Sequence, residues 1–204
     1  MLRTEIFKQY NNNEDLNRKE AEIRVALLME PENLSYLKEL GALVYYKKNC
    51  KSAKVIYKKL TELEPKNGDN FAFLGYIQYE LEEYEEAIKN FNKAVSLVED
   101  PSFVNFLLGN AYSRTGKIMN AIKCYDLAIF KNLDIYNVHV DFAKKYEDMG
   151  RFEKAYKEYK AAYEIDPRDK KIEQKINEMR EKINNDCILS VSYTHLTLPT
   201  KLEV

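Results

Sequence analysis

The chain has 204 residues, of which 45% are hydrophobic and 32% are charged, a composition typical of soluble globular proteins. Six glycines and five prolines are too few for a loop-rich all-β protein, so the composition favours helix. The 32 basic and 33 acidic residues are interspersed and give a formal net charge of -1, which argues against nucleic acid or an anionic membrane as partner.

The start of the chain and its cysteines bear on its location. The first eight residues carry charged side chains where a secretory signal would need an unbroken apolar stretch. No later run reaches the roughly 18 uncharged apolar residues of a membrane-spanning helix. Cys50, Cys124 and Cys187 are odd in number and far apart, which is typical of reduced thiols. These features predict a cytoplasmic location.

Small residues recur at a fixed spacing along most of the chain. Alanines stand at Ala53, Ala87, Ala121 and Ala155, so that 87 − 53, 121 − 87 and 155 − 121 are each 34. An aromatic residue follows each alanine four positions later, at Tyr57, Phe91, Tyr125 and Tyr159. A spacing of four places both side chains on one face of a helix, so each alanine marks a predicted helix.

A second small position lies twelve residues before each alanine and predicts a preceding helix. It is occupied by Gly41, Gly75, Gly109 and Ala143, each directly after a Leu or Phe. A small residue lets two helices approach closely, and its large neighbour fills the space between them. Gly116 and Gly150 suit the left-handed residue that follows a helix. Prolines in the same register stop the second helix, at Pro31, Pro65 and Pro167.

The order Leu-Gly, Tyr, Ala-x-x-x-aromatic and Pro over 34 residues resembles the tetratricopeptide repeat. The resemblance covers residues 34–169 and implies an all-α fold, a right-handed superhelical solenoid of antiparallel helix pairs (a TPR array). Where the family usually has Trp, this chain has Leu37, Phe71, Asn105 and His139. Because the last two are polar, we expect those two repeats to pack less tightly.

The period divides the chain into repeats at 34–67, 68–101, 102–135 and 136–169. Residues 1–33 fit the register only in part, because Lys19 stands where the small alanine belongs, and are predicted to be a degenerate N-terminal repeat. An N-cap at Asp169 and an apolar face predict that residues 170–187 form a capping helix or begin a further repeat. That face consists of Ile172, Ile176, Met179 and Ile183.

The composition changes after Cys187, and residues 191–200 contain no Asp, Glu, Lys or Arg. One interpretation is a β-prone or disordered natural tail. The interpretation we favour is that residues 191–204 resemble a translated sequencing adapter, so that 188–204 form a non-native, disordered tail. In that case the chain is a fragment truncated at its C-terminus. The coding DNA over residues 191–200 distinguishes the two interpretations.

The sequence offers no convergent set of groups for catalysis or metal binding. His139 is the only histidine before residue 191, and no Cys or His lies at metal-ligand spacing from it. Cys50 and Cys124 lie in or beside second helices without an activating partner, which is typical of buried packing residues. No glycine-rich phosphate loop is present. We therefore expect a protein that is not an enzyme and has no cofactor or metal ion.

Positions 2, 5, 9 and 12 of each first helix lie on one face, which becomes the concave groove in a stack of repeats. We call this surface the groove face. It comprises Ser35, Lys38, Ala42, Tyr45, Asp69, Ala72, Tyr76, Tyr79, Phe103, Phe106, Asn110, Ser113, Asn137, Val140, Lys144 and Glu147. Its middle is aromatic, and such rings give a large contact area at low entropic cost. The candidate peptide-binding residues are Lys38, Tyr45, Tyr76, Tyr79, Phe106, Asn110 and Lys144.

These features favour a non-catalytic scaffold that binds a protein or peptide partner, as a peptide or helix, on the groove face. The alternative is the N-terminal TPR region of a longer enzyme or regulator whose functional domain is missing from this fragment. A third hypothesis is weak self-association through the apolar end left after the predicted last helix.

Overall fold

The computed structural model describes residues 2–10 and 15–196, and side chains only as far as residue 185. Every regular element within these residues is an α-helix, which confirms the all-α prediction. The helices are α1 (Leu2–Ile6), α2 (Leu16–Met29), α3 (Leu34–Tyr46), α4 (Cys50–Leu63), α5 (Gly68–Glu80), α6 (Tyr84–Val95), α7 (Ser102–Arg114), α8 (Ile118–Phe130), α9 (Ile135–Asp148), α10 (Phe152–Ile165) and α11 (Lys170–Leu196).

The chain forms two compact units, Met1–Asp134 (unit 1) and Ile135–Val204 (unit 2). In unit 1, α3 packs on α4, α5 on α6 and α7 on α8. These pairs are joined because α4 also packs on α5 and α6 on α7. In unit 2, α9 packs on α10 and α10 on α11. Short turns join the two helices of each pair, which are therefore antiparallel hairpins.

The small residues of the repeat lie where the two helices of a hairpin meet. The alanines of the second helices are at most 3% exposed: Ala53, Ala87, Ala121 and Ala155. A Cβ atom added to Gly41 would lie 2.6 Å from the ring of Tyr57, and one added to Gly109 would lie 2.6 Å from Tyr125. Such distances leave no room for a methyl group unless a ring moves, so close packing depends on these glycines.

The turn inside each hairpin holds one residue with a positive φ, at the same place in every repeat. These residues are Lys48 (66°), Glu82 (64°), Gly116 (74°) and Gly150 (62°), and 82 − 48, 116 − 82 and 150 − 116 are each 34. The left-handed backbone predicted at the two glycines is confirmed. The first two repeats adopt the same turn without glycine, so the hairpin geometry overrides residue preference there.

The N-terminal region differs from the degenerate repeat predicted over residues 1–33. Helix α2 packs on α3, as a second helix would. Helix α1 has only five residues and packs against α5. Its buried residues are Leu2 and Ile6. A helix of about one and a half turns can bury only one short apolar stripe. In α1 this stripe is Leu2 and Ile6, and the helix packs against α5 of a later repeat.

The last described element of unit 2 is one long helix. Helix α11 follows Asp169, whose carboxylate accepts a hydrogen bond of 2.8 Å from the backbone N–H of Lys171, as predicted for an N-cap. Ile172 and Met179 are buried on the side where α11 packs against α10. The predicted capping helix ends at residue 187, whereas α11 continues to residue 196. The rest of the predicted tail, 197–204, lies outside the described residues.

Candidate functional site

An aromatic cluster joins the first helices of two successive repeats in unit 1. The hydroxyl of Tyr45 on α3 donates a hydrogen bond of 3.0 Å to the hydroxyl of Tyr76 on α5. Both side chains are buried, with 1% and 2% exposed. Phe73 stacks on Tyr76 with ring centroids 6.1 Å apart, and Tyr57 meets Phe73 edge to face at 4.4 Å. The two candidate tyrosines are therefore packed inside unit 1.

Part of the groove face of unit 1 is covered by residues 2–10. The backbone N–H of Leu2 donates a hydrogen bond of 2.9 Å to Oδ1 of Asp69. The ring of Phe7 lies 5.9 Å from that of Phe103. Asp69 and Phe103 are both position 2 of a first helix, and α1 packs against α5. Residues 2–10, the N-terminal segment, thus lie on the surface predicted to bind a peptide.

The N-terminal segment contributes an apolar stripe to this contact. Leu2, Ile6 and Tyr10 are 5%, 0% and 5% exposed. The ring of Tyr10 meets Tyr46 of α3 edge to face at 4.9 Å. A cavity of about 30 Å³ remains under the segment, bordered by Leu2 and Phe73 among others, which is enough for about one water molecule. A second cavity of about 200 Å³ lies beside Leu2, at Asp69 and Phe103, so the segment fills only part of the space on this part of the groove face.

Lys38 is engaged within unit 1. Its ammonium lies 2.8 Å from Oε2 of Glu64, and Asn70 donates a hydrogen bond of 2.8 Å to the same oxygen. Burial acts to raise the pKa of the Glu64 carboxyl, but hydrogen bonds from Lys38 and Asn70 bring it below its usual value. The Lys38 charge is thus already balanced by a carboxylate of its own repeat.

The remaining unit 1 candidates lie toward the other end of the first helices. Tyr79 is half-buried, and its ring meets Tyr84 edge to face at 5.5 Å. Asn110 accepts a hydrogen bond of 2.8 Å from the Tyr125 hydroxyl. Phe106 is 3% exposed. Tyr79 and Asn110 therefore keep part of their surface available to a partner, whereas Phe106 does not.

In unit 2 the groove face is more polar. Lys144 is exposed. Glu147 accepts hydrogen bonds from the Tyr159 hydroxyl at 2.9 Å and from the ammonium groups of Lys175 at 3.2 Å and Lys182 at 3.0 Å. Burial acts to raise the pKa of the Glu147 carboxyl, but these hydrogen bonds lower it overall. The carboxylate therefore ties α11 to α9 and α10.

The described side chains show no constellation of catalytic groups. Nδ1 of His139 lies 2.7 Å from Oε2 of Glu158. Cys50 and Cys124 are buried, as predicted, and burial raises the pKa of the Cys124 thiol. No group of three or more His, Cys, Asp or Glu side chains in the described part of the chain could hold a metal ion. None of the described helices has the length and apolar character needed to cross a membrane.

The repeat pattern predicts the groove face but does not predict that the N-terminal segment packs on it. The available signal was the spacing of Leu2, Ile6 and Tyr10, each four residues from the next. That spacing fits a helix with one apolar stripe, and it lies within residues 1–33, the predicted degenerate repeat. A stripe alone does not reveal which surface it packs on, and the long-range contact with α5 is a tertiary property.

A family model described as "Tetratricopeptide repeat" matches residues 69–100, 104–129 and 137–169. A curated relative, a TPR repeat-containing protein of Methanocaldococcus jannaschii, is 29% identical over 111 residues. This match covers 53% of this chain and 19% of the relative. The chain therefore spans about a fifth of the length of that protein.

Solved structures share the fold. A crystal structure of MamA matches with a TM-score of 0.56 at 20% identity, covering 85% of this chain and 91% of MamA. A tetratricopeptide repeat protein from Parabacteroides merdae gives 0.58 at 18% identity, with 91% and 75% covered. The thermophilic TPR protein TTC0263 of Thermus thermophilus gives 0.54 at 18% identity, with 80% and 90% covered. Period, helical hairpins, family model and solved structures agree that the chain carries tetratricopeptide repeats.

Proposed function

We propose that the protein is a non-catalytic interaction scaffold whose groove face in unit 1 binds a short helical peptide of a partner protein. The observation that carries this proposal is that the groove face already holds a short helix. Helix α1 packs against α5, with Leu2 hydrogen-bonded to Asp69. A surface that accepts one short apolar helix has the shape and chemistry to accept another.

The chemistry of the groove face supports a peptide ligand over other classes. Aromatic rings from α5 and α7 supply apolar contact area, and carboxylates and amides such as Asp69 and Asn110 accept or donate hydrogen bonds at its edge. The formal net charge of -1 provides no field for nucleic acid. Tetratricopeptide repeats are typically binding modules, so the proposal includes no catalytic role. The cytoplasmic location predicted from the sequence remains part of the proposal.

Affinity capture of partners with the full chain tests the role of the groove face. Replacing Tyr79 by Ala removes a half-buried groove-face ring, and replacing Tyr84 by Ala removes the other ring of the same 5.5 Å contact from a second helix. Both variants lose the ring contact between Tyr79 and Tyr84, and Tyr84→Ala also loses the contact of Tyr84 with Arg114. Only Tyr79→Ala should reduce capture, by about tenfold for an aromatic contact residue. Equal capture by both variants would place the partner on another surface.

A second pair of variants compares the groove face of unit 2 with another surface of the same unit. Lys144 and Lys157 are both exposed, and they lie on a first helix and a second helix respectively. If the groove face of unit 2 by itself contributes to binding, Lys144→Glu weakens capture and Lys157→Glu does not. Unchanged capture by both variants would mean that the groove face of unit 2 takes no part in binding.

A second candidate function follows from the length of the curated relative. Because this chain spans 19% of that protein, the repeats could serve as the interaction region of a longer enzyme or regulator. Sequencing the gene across the codons of residues 188–204 and downstream of them separates the two candidates. A stop codon within one or two repeats favours the scaffold, and a following catalytic or DNA-binding domain favours the longer protein.

A further inference from the structure

The N-terminal segment has the features of a ligand rather than of a repeat. Its three buried residues, Leu2, Ile6 and Tyr10, follow each other at intervals of four. Phe7, next to Ile6, extends the contact to Phe103. In helix-in-groove recognition a bound helix uses such an i, i+4 pattern of anchors. The segment therefore makes the contacts that a short amphipathic peptide would make.

The segment owes its structure to the surface that it covers. Helix α1 has five residues, far below the roughly 12–15 residues that an isolated helix needs in water. Its order therefore depends on burying Leu2 and Ile6, which are 5% and 0% exposed. Since helices α2 to α8 form their own packed layers, the repeats of unit 1 can remain folded when the segment leaves.

On this basis we infer that residues 2–10 are an internal ligand which a partner peptide displaces, and that the partner repeats their chemistry. This inference rests on the proposed function. The expected partner is a short helix with two aliphatic residues four positions apart, as Leu2 and Ile6 are on α1, and an aromatic residue directly after the second. A further aromatic residue three positions later would follow the helix, as Tyr10 follows α1. A hydrogen-bond donor near its first turn would take the place of the Leu2 N–H on Asp69.

Because the N-terminal segment and a partner peptide compete for the same groove face, the segment determines the affinity that the partner needs. A segment tethered by a short linker acts at an effective concentration in the millimolar range. For a segment that itself binds the empty face with a dissociation constant of about 100 µM, an effective concentration of about 1 mM makes a free peptide bind the intact chain about tenfold more weakly than the empty face. Release of the segment should therefore expose a site that binds the same peptide at least tenfold more tightly.

The test uses full-length chains and one synthetic probe, a fluorescein-labelled peptide with the sequence of residues 1–10, MLRTEIFKQY. In the Ile6→Asp variant a charge replaces a fully buried residue, so the segment leaves the groove face. In the control variant Val25→Asp the same charge replaces an aliphatic residue on α2 that is 62% exposed. Fluorescence anisotropy should give a dissociation constant at least tenfold lower for Ile6→Asp than for the parent and for Val25→Asp.

Equal affinity in the three chains, or no binding by any of them, would overturn the inference. Circular dichroism shows whether Ile6→Asp keeps its repeats folded, and Leu2→Asp, at the other end of α1, is the second releasing variant. A dimer formed by either variant would mean that a second copy occupies the face, which also contradicts the inference. A natural partner that binds parent and Ile6→Asp equally, yet loses binding in Tyr79→Ala, would reject the internal ligand and leave the proposed function intact.

Discussion

Lys48 and Glu82 adopt the backbone conformation that Gly116 and Gly150 adopt in later repeats, with φ values of 66° and 64°. A residue with a Cβ atom is strained there by about 1–2 kcal/mol. The strain is tolerated because the helices on both sides of the turn are packed. The packed helices therefore determine the left-handed conformation of the turn residue, and the residue type determines only how much strain that conformation costs.

Replacing the exposed Glu82 by Gly should stabilise unit 1. Relief of about 1–2 kcal/mol of strain is partly offset by the greater freedom of glycine in the unfolded chain, which leaves a gain of roughly 0.5–1 kcal/mol. Urea unfolding followed by circular dichroism measures the change. Lys89→Gly, at an exposed position inside α6, is the control and should lower stability by a similar amount. A Glu82→Gly chain no more stable than the parent would contradict the role assigned to the turn.

Single helices at the two ends of the chain are held by contacts distant in sequence. Helix α1 depends on α5, and helix α11 is tied to α9 through Glu147. Two lysines of α11 and the hydroxyl of Tyr159 donate hydrogen bonds to this carboxylate. Because these donors favour the charged form, the pKa of Glu147 is lowered in the folded chain. The docking of α11 is therefore linked to pH.

The stability that Glu147 contributes should depend on pH in a defined direction. Its folded pKa lies below the unfolded value near 4.3, so the contribution is complete above that value and is lost as pH falls through the folded pKa. Glu147→Gln should lower stability at pH 7 by roughly 1–2 kcal/mol, and should flatten the decline of stability as pH falls below the unfolded pKa of the Glu147 carboxyl.

Urea unfolding of the full chain, measured from pH 7 to acidic pH, gives the stability that Glu147 contributes at each pH. Glu173→Gln removes an exposed carboxylate from α11 and should leave both the stability and its pH dependence close to those of the parent. If Glu147→Gln retains the full acid-induced loss of stability, the carboxylate does not hold α11 in the way proposed.

For the molecule as a whole, the periodic part of the structure could be predicted and the aperiodic part could not. Ala53 and its equivalents, with Gly41 and its equivalents, recur in every repeat, so helical hairpins follow from local pattern and spacing. The positions of Tyr45 and Tyr76 on first helices followed from the same pattern. Their burial did not, because it arises from packing between two repeats, in which Tyr45 is hydrogen-bonded to Tyr76 and meets Phe73 edge to face.

The most direct test of the account is whether the N-terminal segment occupies the groove face in solution. Nuclear Overhauser effects between selectively labelled side chains of Ile6 or Phe7 and those of α5 and α7 measure this contact. With the rings of Phe7 and Phe103 5.9 Å apart, cross-peaks between them should be present in the parent and absent in Ile6→Asp. Random-coil chemical shifts for residues 2–10 in the parent, without such cross-peaks, would contradict the account.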